Sequence, residues 1–505
     1  MRPGHPLPFA AAVLAGSLAV GCDVPDRALS PVAPPPTDAQ LEGSPTSVYA
    51  VTQGFRKAIT VAGIQTHLDA FNAIAQQNGG VRASFDASHT ATAEYVRAKL
   101  ASAGFNATIQ TFQFDYGGDL TPPEFSRISP SPRTITPVRE FLTMSYSGSG
   151  DVTAILVPVD LEIPSIGGNT SGCEASDFAG FPAGAIALVQ RSTCDFRVKA
   201  LNAAAAGARA VIVMNEGNTP ERQDVVNGTL SAPSVSIPVI GTSYAIGVEL
   251  AEMPEPVVHI KVNASTGAVS SSNVIAETAD GDPNNVVVVG ASLDGRFGPA
   301  INATSGGAAL LEIARVYAAQ ERASRNRTRF VWFGALPEGG FGASYYVSQL
   351  TADERAKVRA MIEIGPIGSP NFGRFVYDGD RPGTLPTDPA ADATSGKIEA
   401  LLNDYFAVSQ LGVNSATWQT NVRAFREVGI PIDGVMSGLA DVKTAAQADL
   451  FGGVAGVAFD PCHMLPCDGL ANISTTALDQ LSDAAAHLVL TLARRNFATE
   501  PLVQN

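Results

Sequence analysis

Histidine and positive charge are both scarce in this chain. Six histidines are spread over 505 residues, and His67, His89, His259 and His487 stand in separate segments that suggest no metal cluster. Lysine and arginine number 33 against 48 aspartates and glutamates, a formal charge of −15. That balance excludes nucleic-acid binding, which relies on cations against phosphate, and adhesion to an anionic membrane through charge alone. It reads as solubility. Charged residues make up only 16%, yet 45% of the chain is hydrophobic, with 48 Gly and 34 Pro. This composition is globular and turn-rich, which excludes disorder throughout. No internal repeat is visible, and the length calls for two or three domains.

Cysteine is sparse too, and position sorts the five. The first 22 residues, MRPGHPLPFAAAVLAGSLAVGC, have a short basic start, an apolar core and small residues ahead of Cys22, the pattern of a targeting segment. LAVGC resembles a bacterial lipoprotein box, in which the cysteine is lipidated after cleavage, with Ala19 where a branched residue is usual. An ordinary signal peptide is the alternative. SPVAPPPTDAQLEGSP follows as a Pro-rich, extended tether to about residue 45. Export places the four remaining cysteines in an oxidising compartment, so Cys173, Cys194, Cys462 and Cys467 read as two disulfides. The C-x4-C of DPCHMLPCD could also bind zinc, but a structural zinc site wants four ligands and only His463 is near.

Three textures follow along the chain. TVAGIQTHLDAFNAIAQQNGG and HTATAEYVRAKLASAGF predict helices, and TIQTFQFDY a strand. From about 135 to 264 the chain is β-rich, with one Ala-rich helix at FRVKALNAAAAGA. Beyond 265 apolar strands alternate with helices: VVVVGASLD, SGGAALLEIARVYAAQER, TRFVWFGAL, a helix near 341–350, then MIEIGPIG. Such alternation predicts an α/β domain with a mixed, largely parallel sheet between helices. Ligands in such folds bind at the carboxyl ends of strands, here ASLDG, ALPEGG and GPIGS. The first of these ends leads into a loop offering Ser292, Asp294, Asn302 and Ala303, with no histidine and one carboxylate.

GCEASDFAGFPAGAIALVQRSTCDFRVKALNAAAAGARAVIVMNEG closely resembles a protease-associated (PA) domain, its cysteine pair included. SNVIAETADGDPNNVVVVGASLD, IGSPNFGRFVYDGD, REVGIPIDGVMSG and FGGVAGVAFDPCHMLPCD resemble segments of the secreted zinc aminopeptidases of the aminopeptidase Y and Streptomyces aminopeptidase type. The likeness covers roughly 55–495. It implies an eight-stranded mixed sheet between helices, with the PA domain (135–264) inserted after the first strand between the peptidase-like parts 46–134 and 265–500.

The family holds two zinc ions with two histidines and three acids, and a separate Glu is the general base that takes a proton from the metal-bound water. Carried over position by position, that set is missing. Ser292 stands for the first histidine, while Asp294, which supports it in the family, is kept. Ala303 stands for the bridging Asp, Leu336 for the base, Pro337 for the next ligand, Gly365 for an Asp and Met464 for the last histidine. His463 falls one place early. Ala, Leu, Pro and Gly bring no side-chain donor, a neutral hydroxyl is a poor zinc ligand, and a thioether is soft. Without metal a carboxylate cluster would be a poorly solvated nest of like charge, so loss of metal favours loss of the acids.

The expected protein is therefore a noncatalytic, lipid-anchored envelope protein that uses no cofactor and binds peptide or protein. An active aminopeptidase with an atypical ligand set and a purely structural envelope protein are the alternatives. A nucleophilic set of Ser292, Asp294 and His463 is disfavoured, because no nucleophile elbow is visible. Glu338 and Glu363 are expected at an exposed rim, Asn302 in turn-making, and Tyr345 and Tyr346 in packing.

Overall fold

The computed structural model describes residues 43–320, 324–379, 389–416 and 421–502. The expected signal peptide, the lipid site Cys22 and nearly all of the tether lie outside the described residues.

One helix precedes the two expected. α1 (Pro45–Ala58) is capped by the Ser44 hydroxyl, and its buried Val48, Thr52 and Phe55 recur at helical spacing. It begins where the Pro-rich tether was expected to end. α2 (Val61–Gln77) and α3 (Ala87–Ser102) follow where predicted, each with an N-cap side chain accepting backbone N–H groups.

The main sheet has eight strands: β1 (Thr108–Tyr116), β2 (Gly267–Glu277), β3 (Asp282–Ser292), β4 (Asn326–Phe333), β5 (Val358–Ile364), β6 (Phe375–Tyr377), β7 (Asn414–Ala416) and β8 (Ile432–Met436). Their spatial order is β1-β2-β4-β3-β5-β8-β6-β7. The four central strands, β4, β3, β5 and β8, run parallel, and antiparallel pairs flank them on both sides. Side chains alternate across the sheet. Val286 and Val288 of β3 join Phe333, Tyr346 and Phe425 in one buried cluster. Val287 and Val289 face the opposite way, the side covered by α4 (Ser305–Ala319) and α5 (Thr475–Arg494). A strand buried on both faces needs the continuous apolar run seen in VVVV.

The insertion lies between β1 and β2 and forms a second eight-stranded sheet. It takes in Glu124–Ser129 and Arg133–Ile135, so it extends ahead of the boundary expected at 135. Those strands are short and part-exposed, and their weak apolar alternation hid them. A second helix, Tyr244–Ala251, joins the expected Phe196–Ala205. Disulfides link Cys173 to Cys194 and Cys462 to Cys467. Beside the first, the fully buried Lys199 ammonium donates to the Ser171 carbonyl and to Ser192 Oγ at 2.5 Å, knitting the disulfide loop to its helix.

Candidate functional site

Parallel strands bring their carboxyl ends to one edge, and this edge gathers the residues singled out above. Ser292 ends β3, Leu336 and Pro337 follow β4, and Gly365 follows β5. Ala303 precedes α4, and Met464 sits in the loop that Cys462–Cys467 closes. All six line a single cleft of about 90 Å³, together with Arg296, Glu363, Ile364, Leu439, His463 and Asp468.

The frame around these positions is dense with hydrogen bonds. Asn302 donates through Nδ2 to Ser369 Oγ (3.0 Å) and Asp460 Oδ2 (2.7 Å) and accepts the Gly368 N–H (2.9 Å). It ties three loops together, more than the turn-making expected of it. Asp468 accepts the N–H groups of Asn302 (2.7 Å) and Ala303 (3.1 Å) and the Asn472 amide. Burial and the nearby Asp460 carboxylate still push it up to about 6. From below, the fully buried Arg82 donates to the carbonyls of Pro299, Leu293 and Ala300 and to Thr304 Oγ1. Burial lowers its pKa to about 10, against the pull of Asp294, Asp468 and Asp86.

Asp294 is wholly buried and accepts the Ala335 N–H at 2.9 Å, as expected of a loop-fixing acid. Its Oδ2 also stands 3.0 Å from Nδ1 of His89, which the sequence left isolated. On the other side of the ring, Nε2 stands 3.0 Å from the Ser272 backbone nitrogen and 3.1 Å from the Ser272 carbonyl oxygen. Asp294 Oδ1 is buried without a hydrogen-bond partner.

The nucleophilic set is not assembled. Ser292 Oγ donates to the Asp294 backbone carbonyl at 2.8 Å, and the Asp294 carboxylate faces His89 rather than His463. His463 lines the cleft with Nδ1 buried and unpartnered; burial lowers its pKa, opposed by Asp460 and Asp441. The other histidines meet unrelated partners: His67 with Glu312, His259 with Asp151, His487 with Thr52.

Two rim expectations are corrected. Glu363 is only 9% exposed because β5 is covered on both faces. Glu338 turns away from the cleft and accepts from Ser84 Oγ at 2.6 Å, with Oε1 buried and unpartnered. Burial, then the neighbouring Asp294 carboxylate, push it up to about 8. Arg82 and His89, which complete this neighbourhood, were missed because no local spacing links residues two hundred positions apart, and Arg296, in the loop directly after Ser292, was passed over because it is neither a carboxylate nor a histidine.

The residues present do not fit a pair of zinc ions. Between them the five ligand positions carry one hydroxyl, already engaged, and one thioether. Among the described residues no three His, Cys, Asp or Glu side chains stand close enough to hold a metal ion.

Comparison with known proteins gives a consistent pattern. Residues 152–250 match the PA domain and residues 273–489 match Peptidase family M28. An aminopeptidase of Pseudomonas aeruginosa is 40% identical over 438 residues, covering 86% of this chain and 81% of that one. A Mycobacterium tuberculosis protein named probable lipoprotein aminopeptidase LpqL is 31% identical, covering 94% of this chain and 91% of its own. Among solved structures, the aminopeptidase from Aneurinibacillus sp. strain AM-1 superposes with a TM-score of 0.57 at 23% identity, over 88% of this chain and 96% of that one. The zinc aminopeptidase from Bacillus subtilis gives 0.57 at 21%, over 87% and 96%. At those identities the likeness is one of fold.

Proposed function

We propose that this chain, which belongs to peptidase family M28 and carries an inserted PA domain, has given up zinc hydrolysis and binds a peptide or protein at the cleft. The observation that carries this reading is the convergence of Ser292, Ala303, Leu336, Pro337, Gly365 and Met464 on one small cleft. Those are the positions at which the family's chemistry needs two metals and a base. A water made nucleophilic by two divalent ions has no donors here to hold those ions. Glu338, two residues beyond the base position in sequence, accepts from Ser84 instead. The intact frame of Asn302, Asp460, Asp468 and Arg82 keeps the strand ends in place around an apolar-walled cleft, which suits binding without bond cleavage.

The leader and LAVGC motif support export and attachment to the bacterial envelope through a lipid on Cys22, with no role for nucleic acid. The naming of the mycobacterial relative as a lipoprotein agrees with this. A second reading, an active aminopeptidase with an atypical ligand set, draws on the 40% identity to an aminopeptidase.

One experiment separates them. The full chain is produced in zinc-supplemented medium, zinc per chain is counted by mass spectrometry, and release of p-nitroaniline from leucine p-nitroanilide is followed. The expected result is near-zero zinc and no release. One or two tightly held zinc ions with turnover would overturn the proposal in favour of the second reading.

A further inference from the structure

The cleft has one charged side chain with hydrogen-bonding capacity to spare. Of the three charged residues that line it, Asp468 is held by Asn302, Ala303 and Asn472, and Glu363 is engaged within the protein. Arg296 is different. Its ion pair among the described residues is with Asp119, at 3.8 Å, beyond a direct hydrogen bond. The Tyr116 hydroxyl hydrogen-bonds it, but Nε is buried with no partner, and a guanidinium carries five N–H donors in a fixed fork, more than these contacts use. The Phe297 ring, 5.2 Å from the guanidinium carbon, and the largely buried stem limit where the fork can point.

Resting on the peptide-binding reading above, we propose that the cleft selects a peptide carboxylate, held by the Arg296 guanidinium, with the adjoining apolar side chain against Leu336, Ile364 and Met464. A planar fork matches a carboxylate in two parallel hydrogen bonds, and the low-dielectric walls strengthen that attraction. The carboxylate comes either from a peptide C-terminus or from an Asp or Glu side chain.

The test is calorimetric titration of the full chain in detergent with three probes: acetyl-Ala-Leu-Leu, its C-terminal amide, and acetyl-Leu-Glu-Leu-amide. We expect one acid-bearing probe to bind at least tenfold more tightly than the neutral amide. Preference for the first assigns a chain terminus, and preference for the third an acidic side chain. Arg296→Met should bring the preferred probe down to the affinity of the neutral amide, and Arg296→Lys should recover part of the difference. The comparison among probes needs no variant, so a folding defect cannot mask it. Equal binding of all three, unchanged in Arg296→Met, would overturn the charge selection alone and leave peptide binding standing. Binding of none would overturn both, and the zinc count would still judge the loss of catalysis separately.

Discussion

At Asp294 one carboxylate oxygen is bound from two sides and the other has no partner. Oδ2 accepts the Ala335 N–H and stands 3.0 Å from His89 Nδ1, while Ser292 turns its hydroxyl to a backbone carbonyl. Glu338 lies beside Asp294 with its own unpartnered oxygen and holds its proton up to about pH 8. The unfolded chain releases that proton near the ordinary carboxylate value of 4.5. Between those values folding takes up a proton, so Glu338 contributes most stability at low pH and loses it as pH climbs towards 8. Glu338→Gln removes that dependence. Its urea midpoint relative to the parent should rise between pH 5 and pH 8, and an unchanged difference would sink this assignment of the proton.

The loops around the cleft hold demanding backbone geometry. Ala300, Ala335 and Met464 all hold positive φ, at 54°, 52° and 55°, which costs a non-glycine residue about 1–2 kcal/mol each. Arg82 and Asp468 hold the 293–304 loop in place, and the Cys462–Cys467 disulfide closes the loop bearing Met464. The two disulfides span separations of 5 and 21 residues. Chain-entropy arguments give the longer loop about 3 kcal/mol and the shorter about 2 kcal/mol. Urea unfolding of Cys173→Ser/Cys194→Ser should show the larger loss, and Cys462→Ser/Cys467→Ser the smaller. The reverse order would mean that the 462–467 loop supports the cleft through more than its own closure. Element by element, β1, α2, α3 and the central strands β3, β4 and β5 were legible because each carries its own period or apolar run. α1, the helix at 244–251 and the strands at 124–135 were not. Their apolar signal is short, and partners distant in sequence complete it.

For the whole molecule, the parallel centre of the sheet places the six positions singled out by the resemblance together although 172 residues separate Ser292 from Met464. If the frame is intact and only side chains were lost, restoring them should restore metal binding. The variant Ser292→His, Ala303→Asp, Leu336→Glu, Pro337→Glu, Gly365→Asp, Met464→His should take up zinc, to at most two ions per chain by mass spectrometry. At Gly365 an added Cβ meets Met436 Cβ at 3.1 Å, so that neighbour must give slightly. A folded variant that stays free of zinc would show that the loop backbones, and not only their side chains, have left the family geometry.

The sequence by itself determined the fold class, the order of the main elements and which donor atoms the six cleft positions lack. Apolar periodicity is a local property, and a missing donor atom is missing in any fold. It could not show that those positions share one cleft with Arg296, that His89 reaches Asp294, or that Glu338 faces inward. These are meetings between residues far apart in the chain. The sheet register and the packing of loops on its edge bring them about, because burial of both sheet faces leaves the strand ends only one place to converge.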